Sequence, residues 1–359
     1  MQILVNDNRS ATLGRDRTSY LDILKAVTIL FVVIGHAIQY GGGMENLSGG
    51  YFLYNPVFIF IYSFHMPLFM IVSGYLFAFS CKNKTWIQLL IAKAKQILIP
   101  LFCWSCVSLV VEIIKIIIGI SSHKFSIIWI GQTVTSGFLH GPWFLWAIWW
   151  SSLLVIITRR FFKDNILVYL AVFILVMLIP DNNNSAQYKF MLPYFVLAYL
   201  FNKYEFKTKL TNVYVNVTLA ISTTLIYILL LPHFGFDSYI YMSGYSVIGK
   251  NLTYQLHNNA FRFVIGAVGS ISVMYAVYLL TFKLPASVKR PIAYVGTNTL
   301  GIYLISNYFF DEVLKRLPIP GINPWYVLIE VVTVFTASLL LTLLLRKFKT
   351  TNRLFLGGR

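Results

Sequence analysis

Hydrophobic residues run along this chain in long blocks, not in the alternating or narrow-stripe patterns of a soluble domain. Taken as runs that can cross a bilayer, the blocks predict about ten helices. They fall at 20–41, 52–80, 97–119, 142–158, 165–180, 190–202, 211–232, 259–282, 297–314 and 324–346. The second is long and carries Pro56 and Pro67, and a proline inside a helix frees a carbonyl and kinks it. The fold class expected is therefore all-α, a polytopic membrane protein.

Charge sharpens this picture. One set of inter-helix segments holds Arg9, Arg15 and Arg17, then Lys82, Lys84, Lys93 and Lys95, then Arg159, Arg160 and Lys163. It continues with Lys203, Lys207 and Lys209, then Lys283, Lys289 and Arg290, then Arg346, Lys347, Lys349, Arg353 and Arg359. The opposite set holds Lys124, Lys189, Lys250, Lys315, Arg316 and little else. Basic residues stay on the cytoplasmic side, so both termini are expected there, and an even helix count agrees independently. Residues 1–19 then form a cytoplasmic N-terminal segment, 20–346 the transmembrane domain, and 347–359 a cytoplasmic basic tail. No internal repeat is visible, which disfavours an inverted-repeat transporter.

Composition excludes the soluble classes. Of 359 residues 58% are hydrophobic and only 11% charged, more apolar surface than a wettable exterior allows. The first twenty residues lack the apolar core and cleavage site of a signal peptide, so the first hydrophobic block is expected to stay in the mature protein. The net charge of +17 lies in short clusters that orient helices, so nucleic acid is not an expected partner. Cys81, Cys103 and Cys106 are too few and too embedded for a disulfide framework, and Cys103 and Cys106 read as small packing residues. The sequence has no metal-ligand cluster, phosphate-binding glycine loop or serine-nucleophile elbow.

The chemistry gathers on the first block, YLDILKAVTILFVVIGHAIQY, which carries Asp22, Lys25 and His36. Ionisable groups in hydrocarbon are costly and mark protein-facing or water-filled positions. Lys25 and His36 are eleven residues apart, roughly three helical turns, which puts them on one face about 16 Å apart. A neutral imidazole can take a proton from a hydroxyl near neutral pH, making His36 the first candidate base, or else His36 is a helix-packing histidine hydrogen-bonded to a neighbour. Lys25 can hold an anionic group such as a phosphate, or snorkel while paired with Asp22 at i, i+3. His65, just before Pro67, either faces His36 or caps the break in its helix. Ser73 and Gly74 permit close helix approach. Trp143 and Trp146 are interface anchors or cavity wall, and His140 opens their helix. Tyr239, Tyr241, Tyr245 and Tyr254 in the segment 233–258 stack on sugars or belong to an aromatic belt. Glu112 and Lys115 read as a structural pair. Arg262 either binds an acidic sugar or lipid phosphate, or snorkels.

These stretches resemble the acyltransferase-3 superfamily of membrane acyltransferases, in which a basic residue, ten intervening positions and a histidine mark the first helix. Lys25 and His36 fit that spacing, with lysine where arginine is frequent. FHMPLFMIVSGYLF (64–77) and WFLWA (143–147) are similar to the second- and fourth-helix signatures of the fucose 4-O-acetylase-like branch, and TNTLGIYLISNYF (297–309) to its late motif. Ser306 departs from the histidine often found there. The resemblance implies an O-acyltransferase, acetyl-CoA being its donor co-substrate and no cofactor being permanently bound. It implies an acceptor hydroxyl on a cell-surface glycan or lipid-linked saccharide, and a multi-pass place in the bacterial plasma membrane. His36 would be general base or acyl relay, Asp22 would orient or neutralise the cation, and Lys25 would hold a phosphate of the donor. His65, Ser73, Trp143 and Tyr303 would line the substrate. A polysaccharide or lipid-linked glycan exporter or flippase is the alternative, and a scaffold within a polysaccharide-assembly complex a third reading.

Overall fold

A computed structural model of the protein describes residues 12–121, 123–205, 213–314 and 323–358. Arg9, Lys207, Lys209, Lys315, Arg316 and Arg359, and residues 211–212 of the seventh expected helix, lie outside them. The described residues are helical, with no strand among them, and seven helices are long and apolar enough to cross a membrane.

The chain opens with α1 (Thr12–Tyr40) and a short α2 (Gly43–Gly49). The second expected span is two helices, α3 (Pro56–Tyr62) and α4 (His65–Lys82), broken at Ser63–Phe64 and not at a proline. Pro56 sits at the first position of α3, and Pro67 within the first turn of α4, where the missing N–H would have had no helical acceptor. Backbone groups at the break find side-chain partners. Ser63 Oγ donates to the Phe60 carbonyl and lies 2.8 Å from the Tyr227 hydroxyl, while at the start of α3 Asn55 Oδ1 accepts from the Val57 and Phe58 amides. A broken helix inside a membrane persists only with such replacements.

Next comes α5 (Trp86–Ile117), which starts eleven residues before the expected 97 because Thr85 and Gln88 form a capping box ahead of the apolar part. Helix α6 (Ile127–Leu139) occupies what the sequence reads as an outer loop: it is apolar but too short to span, and is capped by Ser126. Then follow α7 (Trp143–Phe162), α8 (Ile166–Leu178), α9 (Ser185–Lys203) and α10 (Val213–Leu230). The last group is α11 (Leu252–Lys283), α12 (Ala286–Gly296), α13 (Thr299–Glu312), α14 (Pro324–Lys347) and α15 (Lys349–Leu356).

Helix α1 is the hub, packing on α3, α4, α11, α12, α13 and α14. Helices α4 and α9 pack extensively along each other. Gly74 lets the two backbones touch, because a Cβ there would stand 2.1 Å from the Phe195 carbonyl oxygen. Asn202 locks the pair by donating to the Tyr75 carbonyl at 2.7 Å. The outer surfaces of α5, α10 and α14 are lined with exposed Leu, Ile and Val, as lipid-facing helices require. The basic tail folds back as α15 along α5, where Trp104 Nε1 donates to the Phe355 carbonyl at 3.2 Å.

Basic residues collect at one end of the bundle. Helices α4, α7, α9, α11 and α14 each finish in Lys or Arg. Contacts tie this end together, with Lys82 near Glu205 at 3.8 Å, Lys203 on Asp164 at 2.5 Å, and Arg346 Nη1 on Asn298 Oδ1 at 2.5 Å. The Asp22 backbone packs on Gly296 there. The ends marked by Tyr40, His65 and Trp143 lie opposite, and there the polar cavities open.

Candidate active site

The C-terminal third of α1 turns Gln39, His36 and Val32 toward the broken α3–α4 helix, where Tyr62, Ser63 and His65 face them across a cavity of about 270 Å³. Trp143 from α7, Gln187 from α9, Tyr239 and Tyr241 from the segment between α10 and α11, Arg262 from α11, and Tyr303 and Asn307 from α13 complete the wall. The residue before His36 must be small: a Cβ on Gly35 would meet the Tyr62 ring at 2.7 Å. That approach lets the Tyr62 hydroxyl donate to Gln39 Oε1 at 3.0 Å.

His36 stands edge-on to Tyr40 and Phe310, each ring centroid 5.8 Å away. Its Nδ1 is buried without a hydrogen-bond partner. Asp311, near the end of α13, is close enough for its carboxylate to interact electrostatically with the ring. His65 both faces the chamber and caps the break, its Nδ1 lying 2.8 Å from the Ile61 carbonyl. Both sequence readings of that residue therefore hold.

Two wider clefts share walls with the chamber. One, of about 790 Å³, is reached past Gln187, Ile240 and Tyr241 and is lined by Asp181, Asn184, Gly244 and Lys250. The other, of about 360 Å³, is reached past Tyr40, Trp143, Tyr303 and Asn307 and is lined by Ser105, Ser108, His140, Asp311 and Glu312. Such a combination of aromatic faces with hydroxyl, amide and carboxylate groups suits a polyhydroxylated ligand.

Of the residues singled out from sequence, His36, His65, Trp143 and Tyr303 line one chamber. Lys25 and Asp22 pair with each other at 2.6 Å, a turn from the basic end, and Ser73 is half-buried on α4; none of these three lines it. The chamber stops at Val32, about 10 Å along the helix from Lys25. Thr28 and Ile29 are buried in between. Ser306 is buried and bonded to its own Tyr303 carbonyl at 3.2 Å, while its neighbour Asn307 faces the chamber. Tyr239 and Tyr241 reach the chamber wall; Tyr254 does not. Lys115 pairs with Glu112 as expected and also with Glu312, tying α5 to α13.

Tyr40, Gln39, Tyr62, Gln187, Asn307 and Asp311 escape the sequence reading. Only Asp311, a carboxylate ending an apolar run, carries a signal of its own.

A family model described as an acyltransferase domain matches residues 18–347, nearly the whole chain. The chain belongs to the acyltransferase-3 family. Among curated proteins it is similar to the nodulation protein NolL of Mesorhizobium japonicum, 29% identical over 187 residues, 52% of this chain and 48% of that protein. NolL of Sinorhizobium fredii is likewise 29% identical over 190 residues, 52% of this chain and 50% of that protein. The chain thus spans about half the length of the curated relatives it matches. No solved structure matches. The acyltransferase-3 domain, at 18–347, contains every chamber residue named above.

Proposed function

We propose that this protein is a membrane O-acyltransferase that moves an acetyl group from cytoplasmic acetyl-CoA to a hydroxyl of a cell-surface glycan or lipid-linked saccharide. The observation that carries the reading is the His36 chamber: a histidine with an unpartnered ring nitrogen, walled by aromatic and hydrogen-bonding groups and sharing walls with two polar clefts. Family membership supplies the reaction class.

In this reading a ring nitrogen of His36 removes the proton of the acceptor hydroxyl as its oxygen attacks the thioester carbonyl. The tetrahedral oxyanion collapses, the carbon–sulfur bond breaks, and the thiolate of CoA receives the proton from the imidazolium. Asp311 stabilises that imidazolium while it lasts. Tyr303, Trp143 and His65 bound the space for the sugar, and Ser73 supports the α4 wall from outside it. Lys25 holds a donor phosphate, and Asp22 sets its position. The acyl group then has to pass the packed turn at Thr28–Val32, so donor entry requires α1 to part there from its neighbours. A bacterial plasma membrane is the setting.

The test compares ester-linked acetate on surface polysaccharide in cells with the protein, without it, and with His36→Ala. Polysaccharide that reaches the surface without its ester in the last two supports acyl transfer. Loss of the polysaccharide itself from the surface would instead mean export.

A further inference from the structure

Arg262 is the most deeply buried cation among the described residues, at 1% exposure, and its guanidinium is held by neutral groups. Nε donates to the Asn258 carbonyl at 3.1 Å, and Nη2 to the Gly244 carbonyl at 3.0 Å and to Asn259 Oδ1 at 2.7 Å. Nη1 is buried with no partner, and the residue lines the His36 chamber. Among the described residues no carboxylate forms an ion pair with it.

Arginine does not lose its charge in a protein, and a buried charge without a counter-ion costs several kcal/mol. The carboxylate that acts on Arg262 is Asp181, which is already taken. It pairs with Lys189 at 2.9 Å and accepts from the Tyr245 and Ser246 amides at 2.7 and 2.9 Å. Lys250 reaches the same turn, donating to the Ser243 carbonyl. Asp237, the other acid nearby, is engaged by the Tyr254 hydroxyl. Three cations thus stand with two occupied carboxylates where the larger cleft meets the chamber, and of the three only Arg262 has a buried donor without a partner in a residue that lines the chamber. The turn itself is built for this: Gly244, at φ +72°, offers its carbonyl to Arg262 and, at 2.8 Å, to Gln255.

We propose that Arg262 Nη1 binds an anionic group of the acceptor, so that the acceptor is an acidic saccharide carrying a carboxylate or a phosphate. The inference rests on the acyl-transfer reading of the chamber and deepens it. A monodentate charge-assisted hydrogen bond from a desolvated guanidinium anchors one end of the sugar and leaves its hydroxyls for His36. A hydroxyl of a neutral saccharide can accept from Nη1 but leaves the guanidinium charge without a counter-ion.

Purified protein in nanodiscs is titrated, by tryptophan fluorescence, with a hexuronic acid oligosaccharide, a hexose phosphate and a neutral hexose oligosaccharide of matched length. At least tenfold tighter binding of one acidic probe than of the neutral one, weakened by salt, is expected. Tighter binding of the first assigns a carboxylate, and of the second a phosphate. Equal affinity for all three overturns the proposal. With acetyl-CoA present, the acidic-to-neutral ratio of kcat/KM is expected to fall at least tenfold in Arg262→Gln, chiefly through KM, and to recover partly in Arg262→Lys. An unchanged ratio with both rates lowered alike would assign Arg262 to the transfer step and overturn acceptor recognition. Acidic binding without any ester formed would sink the acyl-transfer reading and leave the anion site standing, so the two failures are distinct. The wild-type titration decides the matter even where Arg262→Gln does not fold.

Discussion

His36 and His65 share one chamber, yet His65 gives its Nδ1 to the Ile61 carbonyl at 2.8 Å while the Nδ1 of His36 has no partner. One imidazole is committed to holding a broken helix together, and the other is available for proton transfer. Replacing His36 by Ala is expected to lower acetyl transfer by about 10²–10⁴-fold, the usual contribution of a general base. Its thermal midpoint should stay near that of the wild type. His65→Ala should instead lower the midpoint, because the Ile61 carbonyl loses a partner inside the bundle, at a cost of about 1–3 kcal/mol. Unfolding curves and single-turnover rates on both variants check the division; equal rate losses with equal stability would refute it.

The pairing of Lys25 with Asp22 at 2.6 Å makes a separate forecast for the donor. Both side chains are about a fifth exposed, so the pair itself stabilises the fold by at most about 1 kcal/mol. Lys25→Ala should raise KM for acetyl-CoA by about tenfold, the size of one charge-assisted hydrogen bond to phosphate, with kcat little changed. Asp22→Asn, which leaves the cation in place, should alter KM less. The check is a donor titration at saturating acceptor. A fall in kcat alone for Lys25→Ala would remove it from donor binding.

Much of this architecture is written in the chain's apolar blocks. The expected blocks land on helices, because hydrocarbon-spanning length dominates every other signal, and basic residues mark one end of the bundle. Boundaries drift where hydropathy and hydrogen bonding part company: α5 begins at the Thr85 cap, not where the apolar run starts, and α6 is too short to register as a span. The break in the second span was legible as to place within a few residues but not as to cause. Pro67 occupies a helix start, and the discontinuity sits at Ser63–Phe64. For the chamber, His36 and Trp143 stand out because their surroundings are apolar. Gln39, Tyr62, Gln187 and Asn307 are unremarkable in sequence and become a wall only when four separate helices meet. Asp22 and Asp311 show the limit of reading one stripe at a time. The acid on the same helix as His36 pairs with Lys25, whereas the acid that acts on His36 arrives from α13.

Gly74 offers a test of the packing that supports the chamber. Its Cα lies against the Phe195 backbone, so a methyl group there meets a carbonyl oxygen at 2.1 Å and cannot be relieved by a side-chain rotation. The helices α4 and α9 must separate, and the Asn202–Tyr75 bond with them. Gly74→Ala is expected to cost at least the about 1–3 kcal/mol typical of overpacked cores. The loss should show as a lower thermal midpoint and reduced yield of folded protein. An Ala variant as stable as the wild type would mean that α4 and α9 sit further apart than described.

Asp181 links stability to pH at the cleft beside Arg262. Burial acts to raise its pKa, but the Ser246 amide, the Lys189 ammonium and the Tyr245 amide all favour the charged carboxylate, and together they bring it below its ordinary value of 3.8. The native state therefore holds its proton less tightly than the unfolded chain does. Its contribution to stability is full above the unfolded-state pKa and is lost as pH falls through the lower native value. Asp181→Asn keeps the shape but removes the charge that Lys189 and the two amides are arranged around. It should lower the thermal midpoint near neutral pH, and the gap from the wild type should close as the pH is taken below 3.8. Because Asp181 is a carboxylate that acts on Arg262, removing its charge should also tighten binding of the acidic saccharide probe near neutral pH. A midpoint gap that persists unchanged through the acid range would show that Asp181 acts by shape alone.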